Sequence, residues 1–332
     1  MHSYQLLLIL SAALAFGRPP QDGQEALAIN QRGIEAENRR DYVEAANYYR
    51  QSAEVFRALG PQFEGHLSIE LFNLAETMCG LNKWREGESL FEESLTFSRR
   101  ALGPKHIRTA AGLNALANVS MMLDDTPRAE ALLAEALSIE RENFPADLQL
   151  AHTLAALSAI RRRAGKPAEA LPFAEEALSV ALKAEGKEGT ESAMMYRNVA
   201  QIHWTAQRSD RALPLFRKAR AIMERLDETS DPRYASLLSQ EGLAWMDDGK
   251  LGLAESDMKR AINLLSRAPS AELELALAQN NLGLLRMRQK KYAEADELLS
   301  KALSAEQLYN SQDTAQINRT RDMLTQVRSA LR

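Results

Sequence analysis

Small residues recur along the chain at a spacing of about 42 residues. One series of small residues is Ala45, Gly87, Ala129, Ala170, Ala212, Ala254 and Ala295. A second series precedes each member of the first by twelve positions and comprises Gly33, Ala75, Ala117, Ser158, Ala200, Gly242 and Gly283. Seven copies at one period predict a chain built from a repeated supersecondary unit.

Each unit has the apolar spacing of two amphipathic helices. In the last unit the apolar stripe is Ala295, Leu298, Leu299, Ala302 and Leu303, and residues three, four and seven apart share one helix face. The position four residues after the first series is bulky except at Ala174, as at Tyr49 and Leu299. Small residues let two helix backbones approach, and the bulky residue fills the groove between them. We therefore expect an antiparallel pair in each unit, a first helix (A) and a second helix (B).

This order of residues resembles the tetratricopeptide repeat family. Its small, aromatic, small, bulky and small positions are Gly33, Tyr42, Ala45, Tyr49 and Ser52 in the first unit, and Gly283, Tyr292, Ala295, Leu299 and Ala302 in the last. The 42-residue unit is longer than the usual 34 and resembles the kinesin-light-chain-like subgroup. Departures from the pattern are Gly87, Pro167, Ser209 and Ala174.

The resemblance implies an all-α fold, a right-handed α-solenoid of seven helix pairs. The expected repeats are residues 24–60, 62–103, 104–145, 146–186, 188–230, 231–269 and 270–311, so that 24–311 is the repeat region. Residues 312–332 are expected to form a C-terminal capping helix, with Met323, Leu324, Val327 and Leu331 facing the last repeat.

The N-terminus has the pattern of a secretory signal peptide. Leu6 to Phe16 is an uncharged apolar run, too short to span a bilayer but long enough for a signal's hydrophobic region. We expect a signal peptide at residues 1–17, an irregular linker at 18–23, and a protein exported to the periplasm or secreted, in a bacterial setting. No Lys or Arg precedes the run, so an uncleaved anchor or a buried first helix of a cytoplasmic protein stays open.

Composition narrows the function classes. The chain has 332 residues, 41 Lys and Arg against 45 Asp and Glu, and a net charge of −4, which gives no footprint for nucleic acid. Its single cysteine, Cys79, excludes an internal disulfide. The five histidines are scattered, and no nucleophile motif or phosphate loop is present. We expect no enzyme activity, cofactor, metal or small-molecule substrate.

The candidate site is the inner surface, because A helices line the inner curve of stacked helix pairs. Polar residues expected to point away from the A/B stripe are Asn73, Glu76, Asn114, Asn118, Arg162, Arg197, Asn198, Gln201, Trp204, Asn280 and Asn281. An Asn amide both donates and accepts, so it can hold an extended peptide backbone. Groove asparagines hold peptides in the resembled subgroup. Alternatively, these residues serve only helix packing and hydration.

Two interpretations of function remain. The first is a non-catalytic scaffold that binds a peptide or protein segment of unknown identity in the groove. The second is a self-assembling structural component of the cell envelope, that is, a homo-oligomer.

Overall fold

A computed structural model describes residues 21–268, 271–309 and 314–332. These residues form fifteen α-helices and no strand, which confirms the all-α prediction. The helix pairs are α1 and α2 (Gln21–Asn38, Tyr42–Leu59), α3 and α4 (Glu64–Gly80, Trp84–Leu102), α5 and α6 (Ile107–Met122, Thr126–Asn143), α7 and α8 (Leu148–Arg163, Pro167–Glu185), α9 and α10 (Thr190–Thr205, Ser209–Arg225), α11 and α12 (Pro232–Asp247, Leu251–Leu265), and α13 and α14 (Glu272–Arg288, Tyr292–Tyr309). A short 3-10 helix (Pro61–Phe63) precedes α3, and α15 (Thr314–Leu331) follows the last pair.

Only part of the predicted N-terminal segment lies among the residues that the structure describes. The signal peptide predicted at residues 1–17 lies outside the described residues. Helix α1 begins at Gln21, so the end of the expected irregular linker is helical instead. None of the described helices is both long and apolar enough to cross a bilayer.

The turns inside the pairs share one backbone device. In each turn, the residue seven positions after the small residue of the A helix has a positive φ angle; these residues are Arg40, Asn82, Asp124, Gly165, Gln207, Gly249 and Lys290. A left-handed residue ends an α-helix by turning the chain sharply. Where Asp follows, it begins the B helix: Asp41 Oδ1 accepts a hydrogen bond from the Glu44 backbone amide at 3.0 Å.

The chain divides into two compact units at residues 160 and 161. In the first unit, α1 to α6 bury three apolar clusters between successive helices. Gly33 of α1 lies against Tyr49 of α2 so closely that an added Cβ would stand 2.7 Å from Tyr49 Cε1. Tyr49 is fully buried, and its hydroxyl donates to Glu37 Oε2 at 2.7 Å. The bulky residue of the B helix thus fills the space that the small residue of the A helix leaves.

The second unit repeats this arrangement. Its main cluster joins α9 to α13 around residues such as Phe216 and Tyr234. An added Cβ on Gly283 would meet Leu299 Cδ2 at 2.8 Å, which is the same relationship as Gly33 to Tyr49. Every member of both small-residue series, including Ala45, Ala212 and Ala295, is buried.

Helix α15 covers the end of the last pair. Leu324 and Val327 pack against Ala295 and Leu299 of α14, as expected for a cap. The prediction that Leu331 faces the last repeat is wrong, because this side chain is 52% exposed. Ile317, about two turns before Leu324, is buried instead, because the last turn of α15 extends past the end of the core.

Candidate functional site

The A helices of the second unit lie side by side. The backbones of α9, α11 and α13 approach one another more closely than those of the B helices α10, α12 and α14. The A helices therefore form the more closely packed side of this unit. We call the solvent-facing side of these three helices the A-helix face.

Polar side chains connect neighbouring helices across this face. Gln201 Nε2 of α9 donates to Gln240 Oε1 of α11. Asn281 Nδ2 of α13 donates to Ser239 Oγ of α11 at 2.9 Å. All of these side chains except Ser239 are half-buried, so they remain open to solvent on one side. The structure therefore brings the predicted residues Gln201 and Asn281 into one row.

Trp204 takes part in a second connection. Its indole Nε1 donates to Asp247 Oδ2 at 2.8 Å, and Arg288 Nη2 donates to Asp247 Oδ1 at 2.8 Å. The ring is half-buried. Because its only donor is already used, Trp204 can offer a ligand its ring surface but not its N–H group.

Three more predicted residues of this unit are Asn198, Arg197 and Arg162. Asn198 is half-buried, and its amide makes only a 3.8 Å contact to Met195 Sδ. Arg197 is half-buried, and its Nε is buried without a hydrogen-bond partner. Burial and repulsion by Arg233 lower the pKa of the Arg197 guanidinium. Burial and the neighbouring Arg163 lower the pKa of Arg162 in the same direction.

In the first unit the predicted residues lie in different surroundings. Asn118 of α5 is exposed. Asn73 of α3 is buried and lines a small pocket open to solvent, together with Phe72, Ser98 and Arg108. Glu76 is half-buried, and burial together with repulsion by Glu37 raises its pKa to about 7.

Asn114 and Asn280 are not groove residues, contrary to the sequence prediction. Asn114 Nδ2 donates to Glu140 Oε1 at 2.8 Å, and Asn114 Oδ1 accepts from Thr153 Oγ1 at 3.1 Å. Asn280 Nδ2 donates to Glu306 Oε1 at 2.6 Å and contacts Thr320 Oγ1 at 2.9 Å. Both asparagines are buried, so neither is available to a ligand.

Helix geometry explains this correction. Asn114 and Asn280 stand three residues before the small residue of their A helix, and residues three apart share a helix face. They therefore point toward the packed side. Asn281 stands two residues before Gly283, which places it almost opposite, toward solvent.

Buried carboxylates are the feature that sequence reasoning missed. Glu70, Glu140, Glu241 and Glu306 are at most 2% exposed. Burial raises the pKa of Glu70 to about 8, despite a 2.8 Å hydrogen bond from Asn30 Nδ2 to its Oε2. Burial also raises the pKa of Glu140 and of Glu241 to about 7. These buried carboxylates could have been predicted from the sequence, because each Glu stands at a position that is mostly small or apolar in the other repeats.

Cys79 and His106 are further titratable side chains whose surroundings the structure describes. The described residues contain no cluster of His, Cys, Asp and Glu that could hold a metal ion. Burial raises the pKa of the half-buried Cys79 thiol to about 11, with a further contribution from Glu76, so it is protonated at neutral pH. His106 accepts a hydrogen bond from the Arg108 amide at the start of α5, which is a structural role.

Comparison with known proteins agrees with this architecture. Three overlapping stretches, residues 67–142, 110–183 and 148–225, match the tetratricopeptide repeat model. None of the curated proteins matches the chain. Among solved structures, BtubC (BKLC) from P. vanneervenii is 22% identical, with a TM-score of 0.59 over 68% of this chain and 91% of its own.

Two further structures share the fold. TPR-like kinesin light chain repeats from Podosopora anserina are 15% identical, with a TM-score of 0.53 over 63% of this chain and 100% of their own. A Rap protein complexed with Competence and Sporulation Factor is 12% identical, with a TM-score of 0.58 over 93% of this chain and 99% of its own.

The helix pairs and these matches define a helical-repeat protein. Residues 67–225 match the tetratricopeptide repeat model, and the fold is similar to that of tetratricopeptide helical solenoids, as the small and bulky positions predict.

Proposed function

We propose that the chain is a non-catalytic interaction scaffold that binds a peptide or protein segment along its A-helix face. The row of half-buried amides from α9, α11 and α13 carries this proposal. In the described part of the chain, Gln240 Nε2 and Asn281 Oδ1 have no hydrogen-bond partner. Such groups can pair with the backbone of an extended segment without selecting its side chains.

The comparisons with solved structures also support an interaction scaffold. A Rap protein of this fold is complexed with Competence and Sporulation Factor, so the fold is compatible with holding a second molecule. Function nevertheless resides in the surface residues rather than in the fold. The A-helix face presents the half-buried amides of Gln201, Gln240 and Asn281 to solvent.

The test uses an array of random short peptides probed with the purified protein. Asn198→Ala combined with Asn281→Ala should weaken binding at least about tenfold, because two amides that contact the ligand are removed, each contributing ~1 kcal/mol. The melting temperature should change little, since both side chains are half-buried. Asn263→Ala with Asn318→Ala removes two exposed amides of the same unit and should leave binding unchanged. If the double variant lost melting temperature together with binding, the weaker binding would be due to lost stability, and the proposal would be contradicted.

Self-assembly is a second candidate, favoured by exposed apolar side chains near the end of the repeats. Leu308 is 72% exposed and Tyr309 45% exposed at the end of α14. Apolar side chains of this size, when clustered on a surface, are typical of protein contacts. Mass measurement by light scattering distinguishes the two: a defined oligomer that dissociates in Leu308→Asp supports assembly, and a monomer supports the scaffold.

We also propose that the chain is exported, on the basis of its apolar N-terminal run from Leu6 to Phe16. N-terminal sequencing of the mature protein tests this proposal. A mature chain that still begins at Met1 contradicts it.

A further inference from the structure

A fully buried carboxylate of the second unit lies where three helices meet. Glu241 of α11 has no exposed surface, and Arg220 Nη1 of α10 lies 3.1 Å from its Oε2. The same Arg220 nitrogen lies 3.4 Å from Oδ1 of the half-buried Asp257 in α12. One guanidinium nitrogen therefore faces two carboxylates. We call these three side chains the carboxylate joint.

The charges of the carboxylate joint do not balance when both acids are ionised. Glu241 and Asp257 then hold two negative charges against the single positive charge of Arg220. Burying a charge is costly unless it is paired and hydrogen-bonded. Neither oxygen of Glu241 has a hydrogen-bond partner in the described part of the chain. One proton on Glu241 restores the balance, because Arg220 is then left to pair with Asp257.

The groups that act on the two carboxylates come from α10, α11 and α12. Besides the carboxylates themselves they are Arg217, Arg220, Glu224, Trp245 and Arg260. Burial has the largest influence and raises the pKa of Glu241 to about 7, and Asp257 contributes to this rise while Arg220 opposes it. Helices α9 and α13 also contact α11, but among the described residues neither forms an ion pair with Glu241.

We infer that the carboxylate joint is a pH-sensitive contact that holds α10, α11 and α12 together while Glu241 carries a proton and loosens when that proton is released to solvent. The loosening follows because the unbalanced charge is relieved when the contact opens and admits water. Helix α11 also carries Ser239 and Gln240, the middle of the row on the A-helix face. The proton on Glu241 therefore sets how firmly the middle of that face is held. This inference does not depend on the scaffold proposal.

The direction of the pH effect follows from the two states of the contact. The ordinary pKa of 4.5 applies to Glu241 when the contact is open, whereas burial raises it to about 7 when the contact is closed. The closed contact binds the proton more tightly. Its stabilisation is fully present below pH 4.5 and is lost as pH rises through about 7. Between pH 6 and pH 9 this difference changes the opening equilibrium about tenfold.

Hydrogen exchange of the full chain tests this inference. Protection factors of amides in α10 to α12, corrected for the intrinsic pH dependence of exchange, should fall about tenfold from pH 6 to pH 9. Helix α14 of the same chain is the internal control, and its protection should not follow this fall. Glu241→Gln keeps the shape of the side chain without a charge, so the fall should be absent. A melting temperature equal to that of wild type at pH 6 shows that this variant is folded.

Trp245 provides a second measurement. It is buried one turn after Glu241 and acts on both carboxylates. Because the chain has three tryptophans, Trp84→Phe with Trp204→Phe leaves Trp245 as the single reporter. Its fluorescence should change with a midpoint near pH 7, and adding Glu241→Gln should remove that change.

Variants of the two neighbouring charges should move this midpoint in opposite directions. Asp257→Asn removes a repulsion and should lower the midpoint, and Arg220→Gln removes an attraction and should raise it, each by roughly 1 pH unit. Glu272→Gln, an exposed carboxylate of α13, is the matched control and should leave the midpoint unchanged.

Three results would overturn the inference. The first is the absence of a transition between pH 6 and pH 9 in both measurements. The second is a transition that persists in Glu241→Gln. The third is a midpoint that moves in the same direction, or not at all, in Asp257→Asn and Arg220→Gln. If Arg220→Gln does not fold, Asp257→Asn alone decides, because a midpoint at or above that of wild type contradicts the inference.

Discussion

The Asn280 amide donates a 2.6 Å hydrogen bond to Glu306 Oε1, and both side chains are buried. The same relationship occurs in the other unit, where Asn114 Nδ2 donates to Glu140 Oε1 at 2.8 Å. A threonine of the following helix, Thr320 in the second unit, completes each group. Three helices are thereby joined at one point by side chains that must be satisfied together, since each would be costly to bury alone.

Asn280→Ala tests the energetic role of this contact. The variant removes the shorter of two hydrogen bonds to the buried Glu306 Oε1 and leaves Gln316 Nε2 as its donor at 2.9 Å, so we expect a loss of about 1–3 kcal/mol in the free energy of unfolding. Asn281→Ala is the matched control, because Asn281 is adjacent in sequence but only half-buried. This variant should lose less than ~1 kcal/mol of unfolding free energy. Urea unfolding followed by circular dichroism measures both. Similar losses in the two variants would show that burial does not distinguish these asparagines.

The raised pKa of Glu70 predicts a pH dependence of stability. Burial holds its pKa at about 8, whereas the ordinary value of 4.5 applies when the chain unfolds. The folded state then binds more protons than the unfolded state between these values. Its contribution to stability is fully present below pH 4.5, falls as pH rises, and is lost above about pH 8.

Glu70→Gln should therefore reduce the loss of stability between pH 5 and pH 9. One pKa unit corresponds to about 1.4 kcal/mol, so the difference from wild type should be on the order of a few kcal/mol. Glu54→Gln, an exposed carboxylate of α2, is the control and should follow the wild-type profile. Melting temperature across the pH series is the measurement, and a Glu70→Gln profile parallel to wild type would contradict the assignment.

The close approach of Gly283 to Leu299 predicts an overpacking effect. A Cβ at Gly283 would stand 2.8 Å from Leu299 Cδ2, and because Leu299 is fully buried, any shift of its side chain disturbs the neighbours that pack against it. Gly283→Ala should cost about 1–3 kcal/mol of stability. Gly252→Ala, which meets no atom within 4 Å in α12, should be neutral or stabilising by up to ~1 kcal/mol.

Repeating Gly283→Ala in a Leu299→Ala protein tests whether the clash is with Leu299. In Leu299→Ala protein the space next to Gly283 is empty, so Gly283→Ala should cost less there than in wild type. Chemical denaturation of the four proteins gives the coupling energy. An equal cost in both backgrounds would mean that the clash is not with Leu299.

The fold followed from the sequence because its pattern is local and repeated. Gly33 and Tyr49, or Gly283 and Leu299, are complementary in size and recur at one period, so helix pairing can be inferred without coordinates. Gly165 and Gly249 suit their turns because glycine adopts the left-handed conformation without strain. The left-handed conformation of Gln207 and Lys290 was not indicated, because nothing in those side chains favours it.

The candidate site was only partly predictable. Polar residues on the A helices could be identified, and Gln201 and Asn281 do lie in one row on the A-helix face. Asn114 and Asn280 were assigned to the groove although their spacing from the small residues places them on the packed side. Their buried partners, Glu140 and Glu306, lie 26 positions further along the chain, a distance at which helix periodicity carries no information.

The sequence by itself determined that the chain forms paired helices with small residues at their contacts, since amphipathic periodicity and residue size act over a few neighbours. Only the tertiary structure decided which polar side chains are enclosed and which stay open. Burial depends on the several helices that surround a residue at once, as at the enclosed Nε of Arg197.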